Sequence, residues 1–206
     1  MFMYTIGVDE VGRGPIAGPV VVCACAVQES FDILSLFPKQ QLKDSKKLSE
    51  KVRDVIVKKI EEQVSAGTIV YAFGELQAEV IDTRGLAQAM RDVVSQALHG
   101  LEEQGLSKST KIFLDGSLHA GGEYNNQETI IKGDEKIGEI ALASIIAKVY
   151  RDRVMKDHAK KYTEYGFENH VGYGTKAHYE AIQKYGVTPL HRKSFLKKDG
   201  IKCFCV

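Results

Sequence analysis

The stretch YTIGVDEVGRGPIAGPVVVCACAV, residues 4–27, contains two apolar runs joined by a glycine-rich segment. The runs 4–9 and 18–27 are typical of β-strands, and the turn between them predicts an antiparallel pair. Asp9 and Glu10 stand side by side at the end of the first run. Because unpaired buried acids are costly, two adjacent acids in a run otherwise suited to burial need a compensating partner. The stretch therefore predicts the start of a sheet and a candidate site beside it.

Strand-like and helical patterns alternate along the rest of the chain. Residues 48–64 have the apolar spacing of a helix, and Ser49 is the predicted N-cap, without a capping box because position 52 is valine. The apolar side of this helix is predicted to carry Val52, Val55, Ile56, Ile60 and Val64. Further strands are predicted over 67–76, 110–116 and 127–134, and further helices over 85–101, 138–162 and 175–186, the last with Gly186 at its end. Early paired strands followed by strand–helix alternation indicate an α/β domain with a mixed sheet.

The 206 residues suffice for one well-cored domain, and 44% hydrophobic with 27% charged residues is an ordinary globular composition. The apolar runs are too short to span a membrane, and the N-terminus lacks the pattern of a secretory signal. We therefore expect a cytoplasmic protein. The four cysteines form two Cys-x-Cys pairs, Cys23/Cys25 and Cys203/Cys205, for which burial and a loose tail are favoured over a zinc site.

The net charge is only +1, but the charge is unevenly distributed. Residues 43–59 carry seven basic and three acidic side chains, and residues 191–202 carry five basic and one acidic side chain, so each segment has a net charge of +4. Charge runs of this kind are usually solvated faces. Two basic segments around an acidic centre would instead suit the backbone of a nucleic acid.

Three predicted strands end in acids, namely Asp9-Glu10, Asp115 and Asp134. In open α/β sheets, sites form at strand ends, and carboxylates gathered there repel one another unless they are protonated or bridged by cations. Mg²⁺ and Mn²⁺ prefer such oxygen ligands, and two ions about 4 Å apart are the recurring arrangement for phosphodiester hydrolysis. Asp115 alone is more typical of a turn with Gly116, and Asp134 alone of a helix cap. Together, the three positions favour a metal site.

Successive side chains of a strand point to opposite faces of its sheet, so Asp9 and Glu10 cannot both face one metal pair along a regular strand. Three arrangements are open. The strand departs from its pleat at Glu10, or the Glu10 side chain reaches round the strand end, or Glu10 offers its backbone carbonyl.

The segment GVDEVGRGPIAGPVV, which begins at Gly7, resembles the signature of the type 2 ribonuclease H (ribonuclease HII) family. Further motifs agree in order: LKDSKKLS (42–49), FLDG (113–116), KGDEKIGEIALASIIAKVYRDR (132–153), HVGYGTKAHYEAI (170–182) and GVTPLHRKSF (186–195). The resemblance implies a ribonuclease H-like fold, with a mixed five-stranded sheet flanked by helices. It implies a single catalytic domain over residues 1–206, whose part from about 163 to 206 is helical and contacts substrate. It also implies an endonuclease that cleaves RNA paired with DNA, including a single ribonucleotide embedded in duplex DNA, and leaves 5′-phosphate and 3′-hydroxyl ends.

The resemblance assigns four carboxylates to a site for two Mg²⁺ or Mn²⁺ ions: Asp9, Glu10, Asp115 and Asp134. Asp152 competes for the fourth position. We prefer Asp134, because Asp152 lies more than about three helical turns beyond the predicted start of its helix. Its neighbours Arg151 and Arg153 suit a solvated surface.

The family's Gly-Arg-Gly motif, which recognises the ribonucleotide at an RNA–DNA junction, corresponds to Gly12, Arg13 and Gly14. Glycine lets the backbone approach a sugar closely, backbone groups can bind its 2′-hydroxyl, and an arginine can bind a phosphate with two N–H groups. Tyr173 corresponds to the tyrosine beside the junction, where its ring could stack on the sugar on the 3′ side. Two segments near the nucleic-acid backbone correspond to Lys43, Ser45, Lys46 and Lys47 and to His191, Arg192 and Ser194. For each position alone, a tight turn, a surface tyrosine or a solvated charge is the ordinary alternative.

Three other functions compete with this one. A magnesium phosphohydrolase for small phosphoesters often has a second aspartate two residues after its aspartate nucleophile, and neither Asp9 nor Asp115 is followed by one. A non-catalytic nucleic-acid-binding module would bind without metal and would not cleave. A related ribonuclease H that prefers long hybrids is disfavoured by the intact Gly-Arg-Gly motif and Tyr173. We expect a monomer, since no coiled-coil heptads or clear interface stripe appears, and the sequence indicates no protein partner.

Overall fold

The computed structural model of the chain describes residues 3–37, 42 and 48–198. Its centre is a five-stranded sheet in the order β3-β2-β1-β4-β5. The strands are β1 (Tyr4–Val11), β2 (Val20–Gln28), β3 (Ile69–Leu76), β4 (Lys111–Asp115) and β5 (Gln127–Ile130). β1 is antiparallel to β2, and β2 to β3, whereas β4 is parallel to both β1 and β5. The predicted mixed sheet and its antiparallel first pair are confirmed.

Helices flank the sheet and follow it. They are α1 (Glu50–Ser65), α2 (Ala78–Arg84), α3 (Leu86–Glu102), α4 (Gly138–Lys161), α5 (Phe167–His170), α6 (Lys176–Tyr185) and α7 (Lys193–Lys198). The bounds of α1, α3, α4 and α6 agree closely with the predicted helices. α2 was missed, and it is separated from α3 by Gly85, whose φ of 76° breaks the helix.

β2 is buried along both faces, which explains why its sequence is apolar without alternation. One face, which includes Val22 and Ala24, belongs to the core shared with α3. The other face, which includes Cys23 and Cys25, belongs to the core shared with α1 and α4. Burial raises the pKa of both thiols, because it disfavours the thiolate. Burial of the first cysteine pair is therefore confirmed, while the second pair, Cys203/Cys205, lies outside the described residues.

α1 begins as predicted, since the Ser49 Oγ accepts a hydrogen bond of 3.4 Å from the amide three residues further on. The predicted apolar side is partly wrong, because Val55 and Val64 are exposed, whereas Ile56, Val57 and Ile60 are buried. Val55 lies about 100° around the helix from Ile56 and so falls beyond the edge of the buried face. Val64 is in the last turn, at the end of the packed region.

Gly7 allows α4 to begin close to β1. A Cβ atom at Gly7 would lie 2.1 Å from the carbonyl carbon of Glu139, which is closer than side chains come to backbone. On the same strand, the Thr5 Oγ1 donates a hydrogen bond of 2.5 Å to the Glu139 carboxylate. The first turn of α4 therefore lies against the part of β1 that leads to Asp9.

The short helices after α4 pack on the loop between β1 and β2. Ile16 and Ala17 of that loop share a core cluster with Phe167 and Leu196. Ala17 also forms an isolated antiparallel bridge with His191. The predicted helical C-terminal part is therefore present as far as it is described. Among the described residues, no helix is long and apolar enough to cross a bilayer.

Candidate functional site

Three acidic side chains meet where the pairing between β1 and β4 ends. The two strands are parallel, and their register pairs Val8 with Leu114, so Asp9 and Asp115 follow at the next position of each strand. One carboxylate oxygen from each of Asp9, Glu10 and Asp115 lies within 4.8 Å of the other two. Asp9 is 2% exposed and Asp115 is 9% exposed. Three of the four predicted carboxylates are thus brought together in a largely buried group.

Glu10 joins this group with its side chain while its backbone stays in the sheet. Glu10 and Val11 remain paired with Val22 and Val21 of β2, so the strand is regular past Asp9. The pairs with β4 end before Glu10, which leaves that edge of β1 open. Of the three arrangements that the sequence left open, the side chain reaching round the strand is the one observed.

Burial and repulsion act together on the acids. The pKa of Asp9 is raised well above its ordinary value, first by burial and then by the charges of Asp115 and Glu10, while a hydrogen bond with Ser144 opposes the shift. The pKa of Glu10 is also raised by burial, and the Arg13 guanidinium, with Nη1 3.6 Å from the Glu10 Oε1, partly offsets this. A divalent cation at this point would relieve the repulsion and restore the charged forms.

Asp134 lies beside this group. It is fully buried in a 3₁₀ turn, Gly133–Glu135, which follows β5. The Gly133 amide donates a hydrogen bond of 2.6 Å to the Asp115 Oδ1, so the turn is tied to the three-carboxylate group. Within the described ranges, the group of converging oxygens does not include Asp134. Its assignment as the fourth ligand stays a prediction.

Asp152 occupies a different place, between α1 and α4. Its Oδ1 lies 2.7 Å from the Lys148 Nζ, and its Oδ2 lies 3.9 Å from the Arg53 Nη2. These cations account for its charge. The expectation that Arg151 lies on a solvated surface is wrong, because Arg151 is fully buried. It projects from α4 toward the loop between β1 and β2, where it binds backbone carbonyls.

The two glycines of the Gly-Arg-Gly motif have different surroundings. Gly12 has a φ of 85°, and a Cβ atom there would lie 2.3 Å from the Arg151 Nε and 2.6 Å from the Pro19 carbonyl oxygen. Among the described residues, a Cβ atom at Gly14 would meet only the Tyr173 ring, at 3.8 Å. The first glycine is therefore required by the fold, whereas the second keeps free the space beside the tyrosine.

Arg13 connects the loop to the acidic group. Its side chain is 51% exposed, and its Nη1 donates a hydrogen bond of 3.3 Å to the Ser117 Oγ, in the turn after β4. The same nitrogen lies 3.6 Å from the Glu10 Oε1. A half-solvated cation therefore borders the carboxylates, where a phosphate group can reach it.

Two buried arginines hold the loop by its carbonyl oxygens. Arg192 donates from Nη2 to Gly12 at 2.6 Å, from Nη1 to Arg13 at 3.2 Å and from Nε to Gly18 at 3.0 Å. Arg151 donates to three further carbonyls, those of Ala17, Pro19 and Val171. Burial is the first cause that lowers the pKa of Arg192 to about 9 and that of Arg151 to about 10. Because its guanidinium is fully enclosed and occupied, Arg192 is not the phosphate contact that the sequence predicted.

His191 and Ser194 also make their contacts inside the protein. His191 is 2% exposed, and its Nε2 lies 3.1 Å from the Nε2 of His178. The Ser194 Oγ donates a hydrogen bond of 2.5 Å to the Asp82 Oδ1. The prediction for His191 is corrected, because packing of the C-terminal helices on the loop encloses its ring. Ser194 is only partly buried, and its role as a phosphate contact stays a prediction. Lys43, Ser45, Lys46 and Lys47 lie outside the described residues.

Tyr173 faces the same space as the acids. It is 47% exposed and lines a cavity of about 230 Å³ together with Asp9 and Glu10. Arg53 and Lys148 also line this cavity and bring two cations to it. The predicted junction tyrosine and two of the predicted metal ligands are thus neighbours.

Sequence reasoning missed several residues of this site. Arg53 lay in a basic segment that was identified only by its overall charge. Ser144 and Lys148 are four residues apart on α4 and therefore share one side of the helix. Nothing in the sequence around them distinguishes them from other polar residues of a helix. Arg151 was assigned to a solvated surface together with Arg153, because arginines in helices are usually exposed.

Comparison with known proteins identifies relatives along nearly the whole chain. The sequence model of the Ribonuclease HII family matches residues 6–198. A Ribonuclease HII from Shouchella clausii is 41% identical over 194 residues, which are 94% of this chain and 69% of the relative. A Ribonuclease HII from Francisella tularensis subsp. holarctica is 41% identical over 193 residues, which are 94% of this chain and 95% of the relative.

Solved structures share the fold. RNase HII from Archaeoglobus fulgidus, solved in complex with PCNA, superposes with a TM-score of 0.69 at 22% identity, over 93% of this chain and 94% of that one. Bst-RNase HIII, solved in complex with Mn²⁺, superposes with a TM-score of 0.71 at 20% identity, over 96% of this chain and 68% of that one. The predicted ribonuclease H-like fold is confirmed.

Proposed function

The chain belongs to the ribonuclease HII family and is a metal-dependent nuclease of the ribonuclease H type, and we propose that it cleaves duplex DNA at single embedded ribonucleotides. The proposal includes cleavage of the RNA strand in longer RNA–DNA hybrids, with 5′-phosphate and 3′-hydroxyl products. One observation carries it: three carboxylates converge beside a Gly-Arg-Gly loop whose first two carbonyl oxygens are held by the buried Arg192.

The donor set fits hard divalent ions. The converging atoms are all carboxylate oxygens, which Mg²⁺ and Mn²⁺ prefer. Burial, and then repulsion by neighbouring carboxylates, raises the pKa of Asp9 and of Glu10, and bound cations would offset both effects. Asp9, Glu10 and Asp115 would hold a two-ion site, and Asp134, in the turn bound to Asp115, would complete it. When bound, the ions supply a nucleophilic water near neutral pH and stabilise charge on the leaving oxygen.

The residues around the carboxylates would select the sugar beside the scissile phosphate. Gly14 leaves the backbone accessible beside the Tyr173 ring, so backbone groups can bind a 2′-hydroxyl there. Arg13, half exposed and close to Glu10, would bind a phosphate and hold the junction against the acidic group. Tyr173 would stack on the neighbouring sugar and disfavour a second 2′-hydroxyl. Sugar recognition would thus be linked to the cleaved bond by short distances.

Paired substitutions test the metal-site assignment. Asp9→Asn and Asp115→Asn remove converging carboxylates, whereas Asp152→Asn makes the same chemical change in an acid paired with Lys148. With Mg²⁺ or Mn²⁺ and a duplex containing one ribonucleotide, we expect the first two variants to lose about a hundredfold or more in rate. Asp152→Asn should stay near wild type. Near-wild-type rates for Asp9→Asn or Asp115→Asn would overturn the assignment, and Asp134→Asn measured alongside tests the fourth ligand.

A second assay tests the substrate preference. Cleavage of the single-ribonucleotide duplex is compared with cleavage of an RNA–DNA hybrid of the same length, for the wild type and for Tyr173→Phe and Arg13→Ala. We expect efficient cleavage of the first substrate by the wild type and a selective loss in Arg13→Ala. A strong preference for the hybrid would support the related ribonuclease H type instead. We also propose that the enzyme is cytoplasmic and monomeric. Light scattering of the purified chain measures its molar mass and so tests the monomer.

A further inference from the structure

Two buried histidines form a hydrogen-bond chain that ends at the backbone of Tyr173. The Thr188 amide donates to the His191 Nδ1 at 2.9 Å, and the His191 Nε2 lies 3.1 Å from the His178 Nε2. The His178 Nδ1 lies 2.9 Å from the Tyr173 carbonyl oxygen. His178 is fully buried and His191 is 2% exposed.

The two ends of this chain set the direction of every bond in it. The Thr188 amide can only donate, so the His191 Nδ1 accepts and the His191 Nε2 carries the hydrogen. The Tyr173 carbonyl can only accept, so the His178 Nδ1 carries the hydrogen and the His178 Nε2 accepts. The central bond therefore runs from His191 to His178. The Thr188 Oγ1 also lies 2.9 Å from the His191 Nδ1, and it donates to this nitrogen when the Nδ1 accepts from the amide. A further proton would face an N–H group at the His178 Nε2 or at the His191 Nδ1, so this chain is complete only while both imidazoles are neutral.

The loop at the end of the chain is strained. Val171 is β-branched but has a φ of 44°, and Gly172 has a φ of 90°. The positive φ of Val171 costs about 1–3 kcal/mol and persists only where the surroundings impose it, whereas glycine adopts a positive φ readily. On one side, the Gly172 carbonyl accepts hydrogen bonds from the amides of Ile16 and Ala17, at 2.9 and 3.2 Å. The histidine chain acts further along the same loop, at the carbonyl of Tyr173.

We propose that His178 and His191 are positioning residues for Tyr173, and that their directed hydrogen bonds hold its ring beside the carboxylates for the reaction at a single ribonucleotide. This inference rests on the proposed function. It follows from the geometry, because the ring lines the cavity of Asp9 while its own carbonyl is fixed from the protein interior. A misplacement of about 1 Å at such a site can cost about a hundredfold in rate.

The surroundings keep the pair neutral. Burial is the first cause that lowers the pKa of each imidazole to about 4. His170 stacks on His178 with ring centroids 4.3 Å apart, and it disfavours a charge there. Its own bonds, to the Tyr165 carbonyl at 2.8 Å and from the Gly172 amide at 3.2 Å, hold the same loop. Among the described residues, two further kinds of titratable or charged group lie near the pair. The Tyr165 ring packs against His191. A cavity that His191 lines is also lined by Glu79, Asp82, Tyr185 and Lys193.

Two substitutions that branch at Cγ test the bond to Tyr173 itself. In His178→Asn, the side-chain amide nitrogen can take the place of Nδ1 and donate to the Tyr173 carbonyl, although the bond from the His191 Nε2 is lost. His178→Leu is close to histidine in volume but has no donor. For each variant, kcat and KM are measured on the single-ribonucleotide duplex and on an RNA–DNA hybrid of equal length, after thermal unfolding has confirmed a folded protein.

The ratio to compare is kcat/KM on the single-ribonucleotide duplex divided by kcat/KM on the hybrid. We expect His178→Leu to lower this ratio about tenfold, through a lower kcat on the single-ribonucleotide duplex. His178→Asn should keep the ratio within about twofold of wild type. A wild-type ratio in His178→Leu, or an equal loss in both variants, would overturn the positioning role. These outcomes require a wild type that cleaves the single-ribonucleotide duplex. If it does not, the proposed function fails instead.

A spectroscopic measurement keeps the inference testable if His178→Leu does not fold. Long-range ¹H–¹⁵N correlation spectra of the wild type at pH 7 report which nitrogen of each imidazole carries the hydrogen. We expect the Nδ1–H tautomer for His178 and the Nε2–H tautomer for His191. The opposite tautomer at either residue would contradict the directed chain.

Discussion

Replacement of Arg192 by lysine tests how the Gly-Arg-Gly loop is held. The fully buried guanidinium donates to three carbonyl oxygens, those of Gly12, Arg13 and Gly18. A lysine ammonium keeps the charge but has no planar fork, so it can keep one or two of these contacts. Each buried carbonyl that loses its donor costs about 1–3 kcal/mol. With one or two carbonyls left without a donor, we expect Arg192→Lys to lower the free energy of unfolding by about 2–4 kcal/mol.

The measurement is urea unfolding at constant pH, together with the melting temperature, which should fall by about 4–16 °C for a chain of this size. Lys197→Ala is the matched control, because Lys197 is an exposed basic residue of the same helix, α7, and its loss should cost less than about 0.5 kcal/mol. If Arg192→Lys unfolded like Lys197→Ala, the guanidinium would not be holding the loop. The reasoning from its hydrogen bonds would then be refuted.

Three further changes test other parts of the structure. Asp9→Asn removes a buried charge that neighbouring acids repel, so denaturation in metal-free buffer should show a gain of about 0.5–2 kcal/mol in unfolding free energy, although activity is lost. Because the pKa values of His178 and His191 are near 4 in the folded chain and near 6.5 when unfolded, stability is full above pH 6.5 and falls as the pH drops toward 4. The slope is up to about 1.4 kcal/mol per pH unit for each imidazole, and His178→Asn should halve it in a denaturation series from about pH 8 to pH 4. Gly7→Ala forces a methyl group into the backbone of Glu139 and should destabilise the chain by about 3 kcal/mol, measured by urea unfolding.

The acidic group could be predicted because its causes are local. Asp9 and Asp115 each end an apolar run, and parallel strands carry such residues to the same edge of a sheet. The position of Glu10 could not be predicted, because strand alternation directs it to the opposite face. Its arrangement depends on where the pairing with β4 ends, which is a property of two distant segments.

The buried arginines could not be predicted from charge patterns. Arg192 lies in a basic segment, for which a solvated face is the ordinary interpretation. Its burial is decided by carbonyl oxygens of the loop 12–18, which lies far away in sequence. α2 was missed for a different reason. It is a short helix that ends at Gly85, and no sustained apolar period distinguishes it from the helix that follows.

The need for two buried cations follows from the composition of the loop itself. Gly12 is required by the fold and Gly14 keeps the space beside Tyr173 free, but both glycines increase the conformational freedom that would be lost on binding. Guanidinium groups can bind several carbonyl oxygens at once, so Arg151 and Arg192 order this backbone without side chains on its substrate side. Carboxylates could not do this, because they only accept hydrogen bonds and would repel the phosphates. If this loop recognises a 2′-hydroxyl, as we propose, its prior ordering by cations would lower the entropy cost of binding next to the three carboxylates.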